Sequence, residues 1–221
     1  MKHNGIRILI ADDHAVVREG YRMLLMKCMG LEVVEEAGDA ASAYRCYKDT
    51  RPDVVIMDIS MPGRGGIGAT EQILRWDPHS RIIIFTMHSE VSYALQAFRV
   101  GAKGYVTKSS PPDFLISAVQ DVAKGKKVIC PEISEALALN RLQSDSTLLE
   151  GLSPREFEVF RMMLDKRSND EIAGALNVSR KTIINYHYNI KSKLGLASDI
   201  ELAYFGLQQG IAKPIANGCH E

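Results

Sequence analysis

This chain lacks most of the features that would place it outside the ordinary soluble class. Four cysteines in 221 residues (Cys28, Cys46, Cys130, Cys219) show no CxxC spacing and no accompanying histidine cluster, which argues against a disulfide frame or a zinc site and for reduced thiols. No apolar run approaches the roughly 18 residues of a membrane span, and the N-terminus has no signal-peptide pattern, so a soluble, cytoplasmic protein is expected. Repeats and low-complexity tracts are absent. Net charge is absent too: 27 Lys+Arg balance 27 Asp+Glu, so the chain as a whole announces no polyanionic partner. The balance hides one local asymmetry. Between Ile172 and Ser198 stand Arg180, Lys181, Lys191 and Lys193 and not one acid, a modest basic face.

What is present falls into two patterns. Over the first 125 or so residues, short β-rich runs (IRILIA 6–11, LEVVEEA 31–37, DVVIMD 53–58, RIIIFTM 81–87, KGYVTK 103–108) alternate with amphipathic helical segments. Three runs are almost unbroken Ile/Val/Leu, as strands covered on both faces require. Five strands, each followed by a helix, predict a doubly wound parallel sheet, because parallel neighbours need helical crossovers. Residues 129–150 read as an acidic linker with room for one helix. From 151 to 215 the pattern is purely helical. Ser153-Pro154-Arg155-Glu156 and Ser168-Asn169-Asp170-Glu171 are capping boxes, Ser179 can cap a third helix, and Gly210 can stop a fourth. Two short helices separated only by NVS match a helix-turn-helix.

Polar residues gather where the strands end: Asp12 and Asp13 after the first, Asp58 after the third, Thr86 on the fourth and Lys108 after the fifth. Ligands of open parallel sheets bind outside these carboxyl ends, where strand order reverses. With the order 2-1-3-4-5, three carboxylates, a hydroxyl and an ammonium converge. Clustered carboxylates need compensating charge. Lys108 supplies part of it, and Mg2+ would supply the rest through oxygen ligands. A carboxylate between two such cations can accept a phosphoryl group. The glycine-rich loop SMPGRGGIG (60–68) matches neither GxGxxG nor GxxxxGK[ST], so it predicts no nucleotide site.

The segments ILIADDH, VVIMDISMPGRGG, IIIFT and AKGYVTKSS resemble the receiver domain of bacterial response regulators, a family that the strand order 2-1-3-4-5 also describes. The resemblance implies that Asp58 is the phospho-acceptor and that Asp12, Asp13, Asp58 and the backbone carbonyl of Ser60 bind Mg2+. It also implies that Thr86 and Lys108 meet the phosphoryl group, and that Tyr105 turns inward when Thr86 moves. The segments LSPREFEVF, SNDEIAGALNVSRKTI, NI and KLG resemble the LuxR-type (NarL/FixJ) helix-turn-helix domain.

Helical spacing divides the stretch KTIINYHYNIKSKLG (181–195) into two faces. Ile183, His187, Ile190 and Leu194 form a core stripe. Lys181, Ile184, Asn185, Tyr188 and Lys191 form the opposite side, where an exposed isoleucine and tyrosine have no stability rationale but could meet base edges. Arg180, Lys181, Thr182, Lys191 and Lys193 would position the helix on phosphates. Four cations bind weakly alone, so a homodimer reading half-sites about 34 Å apart is expected, either through the last helix (Ile200, Leu202, Ala203, Phe205) or between receivers. The expected protein is therefore a transcriptional regulator, phosphorylated by a histidine kinase and binding promoter DNA, and not an enzyme. The alternative is an interaction module that binds no DNA. A hydrolase of the haloacid-dehalogenase type would need a DxD nucleophile motif and a cap domain, and neither is visible.

Overall fold

The computed structural model describes residues 5–142, 149, 151–209 and 211. The chain forms two compact units, Met1–Ser144 and Asp145–Glu221.

In the first unit, β1 (Ile6–Ala11), β2 (Leu31–Ala37), β3 (Val54–Met57), β4 (Ile82–Thr86), β5 (Gly104–Thr107) and β6 (Val128–Ile129) make one parallel sheet ordered β2-β1-β3-β4-β5-β6. The helices α1 (Ala15–Met26), α2 (Ala40–Thr50), α3 (Gly65–Trp76), α4 (Val91–Val100) and α5 (Pro112–Ala123) follow the first five strands. Every residue of β3, β4 and β5 is buried, as the unbroken apolar runs require of strands covered on both sides. On one side Ile8, Ile10, Ile56, Phe85 and Val106 of the strands pack against Leu115 and Val119 of α5.

The sheet has six strands, not the expected five. Lys103 O accepts from Val128 N and Tyr105 O accepts from Cys130 N, which extends the ladder beyond β5. A two-residue strand is too short to show alternation in the sequence. It leads into α6 (Pro131–Leu142), whose Ile133 is buried, as is Cys130 just before it. The one helix expected within 129–150 is therefore anchored at its first turn, and it packs against α4. The rest of that segment, 143–148 and 150, lies outside the described residues, as do Gly210 and 212–215.

The second unit contains α7 (Pro154–Leu164), α8 (Asn169–Leu176), α9 (Arg180–Leu194) and α10 (Asp199–Gln208). Both capping boxes form: Ser153 with Glu156 and Ser168 with Glu171 each satisfy a backbone N–H in both directions. Between α8 and α9, Asn177 takes a left-handed conformation (φ 52°) that closes the tight turn. Phe157, Phe160, Ile172, Ile183, Ile190 and Leu202 build the core of this unit. No helix among the described residues is long and apolar enough to cross a membrane.

Candidate functional site

Register explains why the acidic residues meet. Ala11 pairs with Met57 across β1 and β3, so the next residue of each strand, Asp12 and Asp58, emerges side by side. Asp58 N donates to Ala11 O at 2.8 Å and holds the pair in step. Across β4 and β5, Thr86 pairs with Thr107, and Lys108 N donates to Thr86 O at 2.7 Å. The five strand-end residues therefore share one end of the sheet.

Asp12 and Asp58 are only 2% and 3% exposed. The Lys108 ammonium bridges them, 2.6 Å from Asp12 Oδ2 and 2.9 Å from Asp58 Oδ2. Burial alone would lower the Lys108 pKa. Its hydrogen bond to Asp12 and the charge of Asp58 outweigh that, and the group is held above its ordinary value, as a cation. One ammonium cannot balance two buried carboxylates. Asp58 Oδ1 is buried and has no hydrogen-bond partner, an expensive condition for a carboxylate oxygen unless something else meets it.

Asp13 is exposed beside this pair, and its Oδ1 lies 2.7 Å from His14 Nδ1. One ligand atom from each of Asp12, Asp13, His14 and Asp58 fits within a 4.8 Å cluster. Excess negative charge, oxygen donors and an orphaned buried oxygen together fit a hard divalent cation. His14 was not among the expected residues, because a histidine following two aspartates reads as an ordinary helix start.

Thr86 is buried, and its Oγ1 accepts a long (3.4 Å) bond from His88 N. Tyr105 is fully buried and already turned inward, its hydroxyl donating to His88 O at 2.9 Å. Burial is the main cause holding that hydroxyl well above its ordinary pKa. His88 is a second residue missed from sequence. Its ring stacks on Tyr93 with centroids 4.2 Å apart, and its Nε2 lies 3.0 Å from Ser60 Oγ. Nothing in its spacing distinguishes it from a loop histidine. The backbone around Asp58 also depends on Gly66: a Cβ there would lie 1.8 Å from Asp58 O.

In the second unit, Ile183, Ile190 and Leu194 are buried, as the core stripe requires. His187 is half-buried, with Nε2 2.9 Å from Asp199 Oδ1. On the opposite face Lys181 and Asn185 are exposed, Ile184 is 48% exposed and Tyr188 73%. The other cations are engaged. Arg180 lies 3.6 Å from Asp170, Lys191 2.8 Å from Asp199 and Lys193 2.6 Å from Glu156. Thr182 is half-buried, its Oγ1 2.8 Å from Ser179 Oγ. Of the four residues that offered a pairing surface on α10, Ile200 (82%) and Ala203 are exposed, whereas Leu202 and Phe205 are buried; Phe205 packs on Phe160 of α7, ring centroids 6.3 Å apart. The exposed apolar side is completed by Tyr204 and Leu207.

Comparison with known proteins agrees with both units. Residues 8–120 match the response regulator receiver domain, and residues 150–205 match the luxR family of bacterial regulatory proteins. The response regulator UvrY of Escherichia coli strain K12 is 35% identical over 208 residues, spanning 93% of this chain and 95% of the relative. The oxygen regulatory protein NreC of Staphylococcus carnosus is 39% identical over 212 residues, spanning 92% and 98%. Among solved structures, RcsB from Salmonella enterica serovar Typhimurium, bound to promoter rprA in the presence of the phosphomimetic BeF3−, matches with a TM-score of 0.69 and 29% identity, covering 91% of this chain and 98% of that one. Two units, two family matches in the same order and whole-length relatives lead to one assignment: the chain belongs to the response-regulator family, as a member that joins a receiver domain to a luxR-type helix-turn-helix domain.

Proposed function

We propose that this chain is a phosphorylation-controlled transcriptional regulator in which a sensor histidine kinase phosphorylates Asp58 and the helix-turn-helix unit then binds promoter DNA as a dimer. The observation that supports the first half most directly is the state of the Asp58 carboxylate. Its Oδ2 is held by Lys108, while its buried Oδ1 has no partner. One oxygen is neutralised and fixed, and the other is bare for attack on phosphorus. Oδ1 forms the new P–O bond as the P–N bond of a phosphohistidine breaks and its electron pair returns to the imidazole. Lys108 stays charged throughout and turns from the carboxylates to the phosphoryl oxygens.

Asp12, Asp13, Asp58 and the Ser60 backbone carbonyl would hold Mg2+, which when bound neutralises negative charge on those same oxygens. Phosphorylation adds about −1.5 to −2 charge and three acceptor oxygens at this end of the sheet. The Thr86 hydroxyl can leave its 3.4 Å bond for one of these acceptors at little cost.

The DNA half rests on the exposed face of α9. Ile184 and Tyr188 have no stabilising reason to face solvent. An asparagine between them can bond adenine, and an isoleucine can meet a thymine methyl. The exposed apolar side of α10, Ile200, Ala203, Tyr204 and Leu207 at i, i+3, i+4 and i+7, suits pairing of two copies. That RcsB binds promoter DNA supports the reading.

Labelling with radioactive acetyl phosphate in the presence of Mg2+ tests the site. Wild-type protein is expected to incorporate label that is lost on chelation, and Asp58→Asn to incorporate none. Full labelling of the variant would sink the assignment. A mobility shift on genomic fragments, with and without phosphodonor, tests the DNA half.

A further inference from the structure

Four cations on α9 are equivalent in the sequence, and three of them differ sharply in what they touch. Among the described residues, Lys181 is the one cation of this helix with no carboxylate partner. Lys193 Nζ lies 2.6 Å from Glu156 Oε2, and Glu156 is a buried residue whose same oxygen also accepts Ser153 N in the capping box of α7. Removing the ammonium would leave a buried carboxylate with hydrogen bonds from Ser153 alone and no compensating charge, which is strongly unfavourable. A DNA phosphate therefore competes poorly for Lys193.

Lys191 is in the opposite position. Its partner Asp199 is exposed and is the first residue of α10, where the helix macrodipole favours an anion. The same Asp199 oxygen is 2.9 Å from His187 Nε2. If Lys191 leaves, Asp199 keeps solvent, the helix terminus and His187. Exposed pairs of this kind contribute little to stability, so a phosphate can displace the carboxylate.

We propose that Lys191 is a DNA-phosphate contact masked by Asp199, which occupies its ammonium in the free protein and yields it to DNA, whereas Lys193 is committed to Glu156 and makes no phosphate contact. The inference rests on the DNA-binding reading and refines it: Asp199 sets how tightly the recognition helix holds any DNA before sequence is read. An internal carboxylate where a phosphate must sit lowers non-specific affinity, which is almost entirely electrostatic.

The test uses the full chain and a short DNA duplex of arbitrary sequence, followed by fluorescence anisotropy over a salt series. Asp199→Asn is expected to bind several-fold tighter at low salt. Lys191→Ala is expected to bind more weakly and to flatten the slope of log affinity against log salt by about 0.9 per protomer bound, the share of one phosphate. In the double variant the gain from Asp199→Asn should vanish, which separates unmasking of Lys191 from a general change of charge. Lys193→Ala should keep the wild-type slope while lowering the melting temperature of the unit. If it does not fold, Glu156→Gln with Lys193→Met removes both charges together and should likewise keep the slope. The proposal fails if Asp199→Asn binds no tighter, if its gain survives without Lys191, or if loss of Lys193 flattens the slope as loss of Lys191 does. Absence of any salt-dependent binding by the wild type would instead overturn the DNA-binding reading itself.

Discussion

Burial pushes the Glu158 carboxyl on α7 up from 4.5 to about 7, and nearby Arg155 and Arg161 offset this only in part. Its side chain is 11% exposed, with Arg155 Nη1 3.4 Å away. A carboxyl whose folded pKa lies above its unfolded one binds a proton more readily in the folded state. Stability is therefore greatest below the unfolded value and falls as pH rises from about 4.5 to about 7. At about 1.36 kcal/mol per pKa unit the loss is on the order of 3 kcal/mol. Thermal melts of Glu158→Gln at a series of pH values should show that slope reduced for the helical unit. A pH profile identical to the wild type would refute the assignment. Such an effect was not legible in the sequence, where Glu158 is one more acid in an amphipathic helix. The reverse holds for Asp12, Asp58 and Lys108. Their strand-end positions were readable because a parallel sheet brings successive strand ends to one edge. The orphaned Oδ1 of Asp58 and the His88–Ser60 pairing were not, because both depend on how loops fold over that edge.

At the scale of elements, helix starts were readable wherever the cap used the common Ser-x-x-Glu form, and both predicted boxes formed. The box at α2 escaped because its reciprocal partner is a serine: Asp39 accepts from Ala41 N and Ser42 N, and Ser42 closes it. The hydrogen bond from Ser42 N, the leading cause, holds the Asp39 carboxyl below its ordinary value. Its contribution is full above that ordinary value and is lost as pH falls through the folded pKa. Asp39→Ala should cost the receiver unit about 1 kcal/mol at neutral pH. Guanidinium unfolding followed by the fluorescence of Trp76 would measure it, and no change in midpoint would contradict the cap's role. β6 escaped for a different reason. Two residues carry no periodicity, and only the backbone groups left open on β5 create a place for them.

For the whole molecule, the zero net charge conceals separate units with separate cores. The single tryptophan, Trp76, belongs to the first unit, at the end of α3 under the Arg51 guanidinium (3.8 Å to the ring). Its fluorescence reports the receiver alone, whereas far-UV circular dichroism reports both units. Urea unfolding followed by the two probes is expected to give midpoints that do not coincide. Raising pH from 5 to 7.5 should shift the transition seen only by dichroism, because Glu158 lies in the second unit. Coincident midpoints at every pH would show one cooperative fold instead.

Read along the chain, the sequence establishes the alternation of strands and helices, the polar residues at the strand ends and the two faces of α9, through periodicity, cap chemistry and the need of parallel strands for crossovers. The strand order that brings the acids and the lysine together came with the resemblance to receiver domains. Which cation of α9 is free, which is masked and which is locked was decided only by tertiary structure. Glu156 is far from Lys193 in sequence, and Asp199 reaches Lys191 because the chain turns at Gly195 (φ 68°) before α10 begins. Partners of a charge depend on distance in space, and no local pattern encodes that.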